Sequence, residues 1–214
     1  MEKELINIHE IDYFTNSLGL LMIKPHAFET ALDIPIRNLF EENKKNVLAL
    51  LNIESSVDKK MIDKLSLCKT LIRDISVYPN RKIFDIICDK EKLPLNYNYQ
   101  LLSDAFSGKV LFLIFFYNGS FCELNNILLK IRGTKPPILD NEFLTEIPHG
   151  IRGHFMCPIE RFTQDQLNNP NDEELLLMIN NVVHTPDTLD ETLLLLEYLL
   201  SIHDIQEINT RFNI

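Results

Sequence analysis

The stretch "NVVHTPDT", Asn181 to Thr188, sets a titratable ring, His184, where an apolar run stops and a helix-start signal begins. A neutral imidazole is a nucleophile or a metal ligand near neutral pH, and a strand end is a position from which it can reach a ligand. The bland reading is a histidine that merely fills a strand end. Two cations of interest lie elsewhere in the chain. Lys24 follows directly on the apolar run "LGLLMI", and Arg152 stands between Gly150 and Gly153 in "GIRGHF". Glycine lets a backbone approach a ligand closely, and the arginine fork matches phosphate oxygens. Each again has a plain counterpart, a solvated lysine and a common Gly-Arg-Gly loop. Taken singly, each of the three signals is weak. The other histidines offer no ligand set: His149 and His154 flank a glycine-containing loop without a third donor, and His9, His26 and His203 read as surface or core.

Elements must hold these residues in place. "LGLLMI" (Leu18–Ile23), "VLALLNI" (Val47–Ile53) and "VLFLIFFY" (Val110–Tyr117) read as strands, and "MINNVV" as a last strand leading into His184. Helical spacing appears at Ile36, Leu39 and Phe40, with Pro35 tolerated in the first turn, and again at Met61, Ile62 and Leu65. Leu67, Leu71, Ile72 and Ile75 read as a further helix, "IFDIIC" as helix or strand, and "YQLLSDAF" as helix. Asn118-Gly119 is a turn dipeptide, and Ser120 to Glu123 spells a capping box ahead of Leu124, Ile127, Leu128 and Ile131. Gly133 to Pro170 reads as loop, punctuated by prolines. Thr188 and Glu191 form a second capping box in front of "ETLLLLEYLL", a helix apolar enough to be buried on more than one side. This order predicts an α+β fold of ferredoxin-like type, an antiparallel sheet covered by helices.

Composition narrows the partners. The 214 residues are 45% hydrophobic and 24% charged, enough for a core and not the make-up of a disordered chain. A formal charge of -10 argues against broad binding to nucleic acid or to anionic membrane, while leaving room for a polyanionic small ligand held by a few local cations. "MEKELINIHE" has no apolar core of a secretory signal, and Val110–Tyr117 is too short to span a bilayer. Four scattered cysteines, Cys68, Cys88, Cys122 and Cys157, read as free thiols in a reducing compartment. The expectation is a cytoplasmic protein.

Four stretches, in order, resemble the nucleoside diphosphate kinase family: "IKPHA" (Ile23–Ala27), "RGTKP" (Arg132–Pro136), "GIRGHF" (Gly150–Phe155) and "NVVHTPDT" (Asn181–Thr188). "SGKV" (Ser107–Val110) is similar to the family's Ser-Gly-Pro-Val. The resemblance implies a ping-pong phosphotransferase that moves the γ-phosphoryl of a nucleoside triphosphate to a diphosphate through a phosphohistidine. It implies His184 as nucleophile, Lys24 at the transferring phosphoryl, Arg152 and Thr134 on the β- and γ-phosphates, and Asn181 at the sugar. Tyr97 or Tyr99 would stack on the base. The metal implied is Mg2+, with Asp187 reaching it through water, and a homo-oligomer of unknown size is expected. The implied layout is an N-terminal extension (1–17), a nucleoside diphosphate kinase-like domain (18–200) with insertions near 57–98 and 156–179, and a C-terminal tail (201–214).

The sequence also departs from that pattern. An ungapped count puts Leu128 where the family has a second arginine, with Lys130 and Arg132 as substitutes nearby. It puts Leu195 where the family has the acid that orients the histidine, and Glu191, the closest acid on that helix, is read as occupied by its cap. Pro186 replaces a serine, removing a hydroxyl and a backbone donor. A nucleotide-binding or regulatory module with weakened chemistry is therefore the alternative reading.

Overall fold

A computed structural model of the chain describes residues 18–41, 69–77, 81–87, 98–106, 108–133, 150–155, 163–179, 182–200 and 202–212. The expected strand Val47–Ile53 and the helix around Met61 lie outside these residues, as do the candidate site residues Thr134, Asn181 and Tyr97. In chain order the elements are β1 (Leu18–Ile23), α1 (Pro25–Glu29), α2 (Asp33–Glu41), β2 (Lys69–Val77), α3 (Arg81–Ile87), α4 (Tyr99–Asp104) and β3 (Gly108–Phe116). There follow α5 (Phe121–Arg132), α6 (Gly150–Phe155), α7 (Gln164–Asn168), α8 (Asp172–Ile179), β4 (Val183–His184), α9 (Leu189–Leu199) and α10 (Ile202–Phe212).

The fold is α+β. Among the described residues, three longer strands and a two-residue fourth form one antiparallel sheet in the order β2-β3-β1-β4. Strand alternation sends its two faces into two separate cores. Leu18, Leu20 and Met22 of β1, with Val110, Phe112 and Ile114 of β3, pack under α3, α4, α8, α9 and α10. Leu21 and Ile23, with Leu111, Leu113 and Phe115, pack under α1, α2, α5 and α6. β1 and β3 are continuous apolar runs rather than alternating ones because both their faces are covered. Gly19 permits a close helix contact: a Cβ there would come within 2.6 Å of Leu128 in α5.

Several sequence expectations need correction. Residues Lys69–Val77, read as helical, form β2, in full register with β3 from Lys69↔Phe116 to Val77↔Gly108. The β-branched residues Thr70, Ile72, Ile75 and Val77 favour strand, and pairing along all nine positions outweighs the helix-like spacing of the leucines and isoleucines. The loop expected from Gly133 to Pro170 contains α6 and α7, and "MINNVV" is not a strand from its start, since Met178 and Ile179 end α8. The triple acid Asp172, Glu173 and Glu174 at the start of α8 complements the helix dipole. The last residues of the chain, expected as a tail, include α10, whose Ile208 is buried in the first core. Among the described residues no helix is long and apolar enough to cross a membrane.

Candidate active site

Among the described residues the site lies at the β4 edge of the sheet, on its shortest strand. Met22 pairs with His184 and Ile23 with Val183, and the Lys24 amide donates to Val182 O at 2.9 Å. Directly paired residues share a face, so His184 stands beside Met22 on the side of α9. Lys24, two residues on, points to the same side. Its ammonium lies 4.4 Å from the centre of the Phe106 ring, and the side chain is buried. An ammonium held against an aromatic face is attracted by the ring's quadrupole.

The other edge of β4 has no neighbouring strand among the described residues, and two arginines cover it. Arg152 Nε donates to Val183 O at 3.0 Å, and Arg132 Nη1 donates to Thr185 O at 2.9 Å. Both side chains are buried. They come from consecutive helices, α5 and α6, whose ends meet through two glycines. Gly133 caps α5 at φ 80° and Gly150 opens α6 at φ 68°, and a Cβ on Gly150 would lie 2.5 Å from Gly133 Cα. Only glycine permits that conformation and that approach at no cost, and this close contact sets Arg132 and Arg152 side by side. "GIRGHF" is thus a helical turn rather than the loop its glycines imply. Burial, and then the neighbouring Arg132 charge, push the Arg152 guanidinium well below its usual range, with Asp187 acting in the opposite direction. Two cations in so little water are an electrostatic environment that favours an anion.

His184 is close enough to this pair to feel both charges. Its Nε2 lies 2.7 Å from Glu191 Oε1, and 13% of the side chain remains exposed. An ionised carboxylate only accepts, so Nε2 carries the proton and Nδ1 is left as the nitrogen with the free lone pair. The second oxygen of Glu191 accepts from the Asp187 amide at 3.0 Å, while the Glu191 amide donates to the Thr188 hydroxyl at 3.2 Å. Glu191 therefore does not spend its carboxylate on its own N-cap, as the capping-box reading has it. It bridges the turn and the ring. Burial pushes the His184 pKa down, Glu191 raises it, and Arg152 and Arg132 lower it further; the net shift is below the usual histidine value. The ring is therefore neutral, and nucleophilic, through the physiological range.

Glu191 and Arg132 stand one helical turn from the two positions reached by the ungapped counts. Leu195 and Leu128 are fully buried core residues. Glu191 lies four residues before Leu195 on α9, and Arg132 four residues after Leu128 on α5. Each is one helical turn away on the same face. The spacing itself was a signal: an acid at i−4 and an arginine at i+4 share a helix stripe with the positions found empty. Asp187 is placed on Arg132, with Oδ1 2.8 Å from Nη1, and is 60% exposed. Tyr99 packs on Phe84, ring centres 5.2 Å apart, and donates its hydroxyl to Asp85. Those contacts belong to the α3–α4 pair and not to the arginine cluster. Among the described residues no group of three His, Cys, Asp or Glu side chains could hold a metal ion. A lone exposed carboxylate, Asp187, fits at most an outer contact to a Mg2+ carried by a polyphosphate.

No protein-family model and no curated protein matches the chain. Among solved structures it is similar to nucleoside diphosphate kinase from Encephalitozoon cuniculi, in its cubic apo form, at 16% identity and a TM-score of 0.47. The match covers 86% of this chain and 89% of that one. A likeness this distant carries no functional argument, so any activity has to be argued from the side chains.

Proposed function

We propose that the chain is a nucleoside diphosphate kinase-like phosphotransferase that moves the γ-phosphoryl of a nucleoside triphosphate to a diphosphate through His184. The observation that carries this reading is a neutral imidazole, fixed by Glu191 at Nε2, beside two buried arginines. Nδ1 attacks the γ-phosphorus, the bond to the β-phosphate oxygen breaks, and the diphosphate leaves with the electron pair. A second diphosphate then attacks the phosphorus and restores the ring. No proton is lost from Nδ1 in the first step, and Glu191 balances the positive charge that the ring gains. Arg152 and Arg132 meet the developing negative charge on the oxygens, and Lys24 approaches from the β1 side. Mg2+, bound with the nucleotide, supplies further neutralisation of the phosphates. Thr134, Asn181 and one of Tyr97 or Tyr99 complete the proposed contacts. A ferredoxin-like topology is part of the same proposal, supported by the order β2-β3-β1-β4 with every neighbour antiparallel.

One observation favours a second reading, a nucleotide-binding module without turnover. The arginines spend donors on Val183 O and Thr185 O, which ties down the edge of β4 whether or not a ligand comes. Labelling separates the two. With γ-labelled ATP or GTP and magnesium, wild type is expected to take up acid-labile label and release it to nucleoside diphosphates as new triphosphate. His184→Ala is expected to take up none. Nucleotide binding by wild type without any label would leave only the second reading standing.

A further inference from the structure

Arg132 is paired with a carboxylate of the same chain. Arg132 is 4% exposed and donates through Nη1 to Asp187 Oδ1 at 2.8 Å and to Thr185 O at 2.9 Å. Its Nε, and the hydroxyl of the fully buried Thr185, are buried with no hydrogen-bond partner. Buried donors left unmade are costly, so Arg132 and Thr185 retain capacity for acceptor atoms that Asp187 does not supply. The Asp187 side chain is 60% exposed, and its backbone amide is fixed separately on Glu191 Oε2. Rotation about its Cα–Cβ bond takes the carboxylate into water while the amide, Glu191 and His184 keep their places.

We propose that Asp187 is a displaceable latch, which holds Arg132 while the site is empty and is pushed aside by the phosphate group of an incoming nucleoside diphosphate. The proposal rests on the reading of this cluster as a phosphate site. The chemistry follows from the two anions. A carboxylate offers one charge and two oxygens to a fork that is also used by phosphate. A phosphate group carries more charge and three free oxygens, so it makes the stronger charge-assisted bond at the Nη1 seat that Asp187 holds. A mostly exposed carboxylate on a buried arginine contributes little in water, so it is easily exchanged. Its service to the empty protein is compensation, because Arg132 stands beside Arg152 and depresses the pKa of the latter. The latch therefore steadies the empty state and lowers ligand affinity by competing for one seat.

The test is a titration of ADP and of inorganic pyrophosphate into wild type, Asp187→Asn, Arg132→Gln, the double variant and Arg152→Gln, all in EDTA so that no contact through a metal contributes. Asparagine keeps the shape of Asp187 and removes its charge, and Asp187→Ser repeats the test should that variant prove unstable. Asp187→Asn is expected to bind both ligands roughly two- to fivefold more tightly than wild type. The same change made in Arg132→Gln is expected to alter nothing, because the contested seat is gone. Equal or weaker binding by Asp187→Asn, with binding still weakened by Arg152→Gln, would overturn the latch and leave the phosphate site intact; Asp187 would then be a support that positions Arg132. Absence of binding by every protein would remove the phosphate-site reading, and the latch with it.

Discussion

Glu191→Gln is expected to slow phosphoryl transfer through His184 by roughly 10²- to 10³-fold, with nucleotide affinity largely kept. The carboxylate does two things that the amide cannot do together. It accepts from the ring at Oε1 and from the Asp187 amide at Oε2. Glutamine has a single acceptor oxygen, so one of those partners loses its bond. If its NH2 turns to the ring, His184 is forced into the tautomer with a proton on Nδ1, the nitrogen that must attack. The pH profile separates this from a general loss of structure. Glu191 raises the His184 pKa against burial and the two arginines. Its removal therefore moves the acid limb of kcat/KM to lower pH, while the plateau falls. Wild type, whose ring already titrates below the usual histidine value, is expected to keep its plateau through neutral pH and lose activity only as the ring protonates in acid. A merely disrupted site lowers the plateau and leaves the limb where it is.

Arg152→Lys is expected to be nearly as severe, about 10²-fold in kcat, although the charge is conserved. The guanidinium holds Val183 O through Nε, which leaves its terminal nitrogens to meet an anion. Lysine has one nitrogen and cannot do both. Steady-state rates with circular dichroism melts separate the two parts of the loss. A small fall in Tm with a large fall in kcat is the expected pair, and a rate within threefold of wild type would assign Arg152 to the strand edge alone.

How much of this was legible in the sequence depends on where the signal was local. β1 and β3 were, because long apolar runs closed by Lys24-Pro25 and by Asn118-Gly119 have few other readings. The starts of α5 and α9 were, because Ser120 and Thr188 each accept from the amide three residues on. β2 was not: its strand character is decided by pairing with β3, a contact across some forty residues of chain. α6 was not, because its glycines signal a loop, whereas they serve to let α5 and α6 touch. His184, Lys24 and Arg152, named from type and order, meet around β4. Glu191 was seen but assigned to its helix cap, since nothing local tells which of several amides a carboxylate will choose. Arg132 was only a nearby substitute until the Gly133–Gly150 contact placed it next to Arg152. In both cases a one-turn displacement along a helix, invisible to an ungapped count, keeps the side chain on the same face.

The central claim is that His184 carries the phosphoryl group on the nitrogen that Glu191 leaves free. Protein labelled from nucleoside triphosphate, with 15N in its histidines, answers it by the 15N–31P coupling of the phosphorylated ring. The account predicts one phosphohistidine, at Nδ1 of His184, lost when nucleoside diphosphate is added. Phosphate on Nε2, on another residue, or on no residue at all would contradict it.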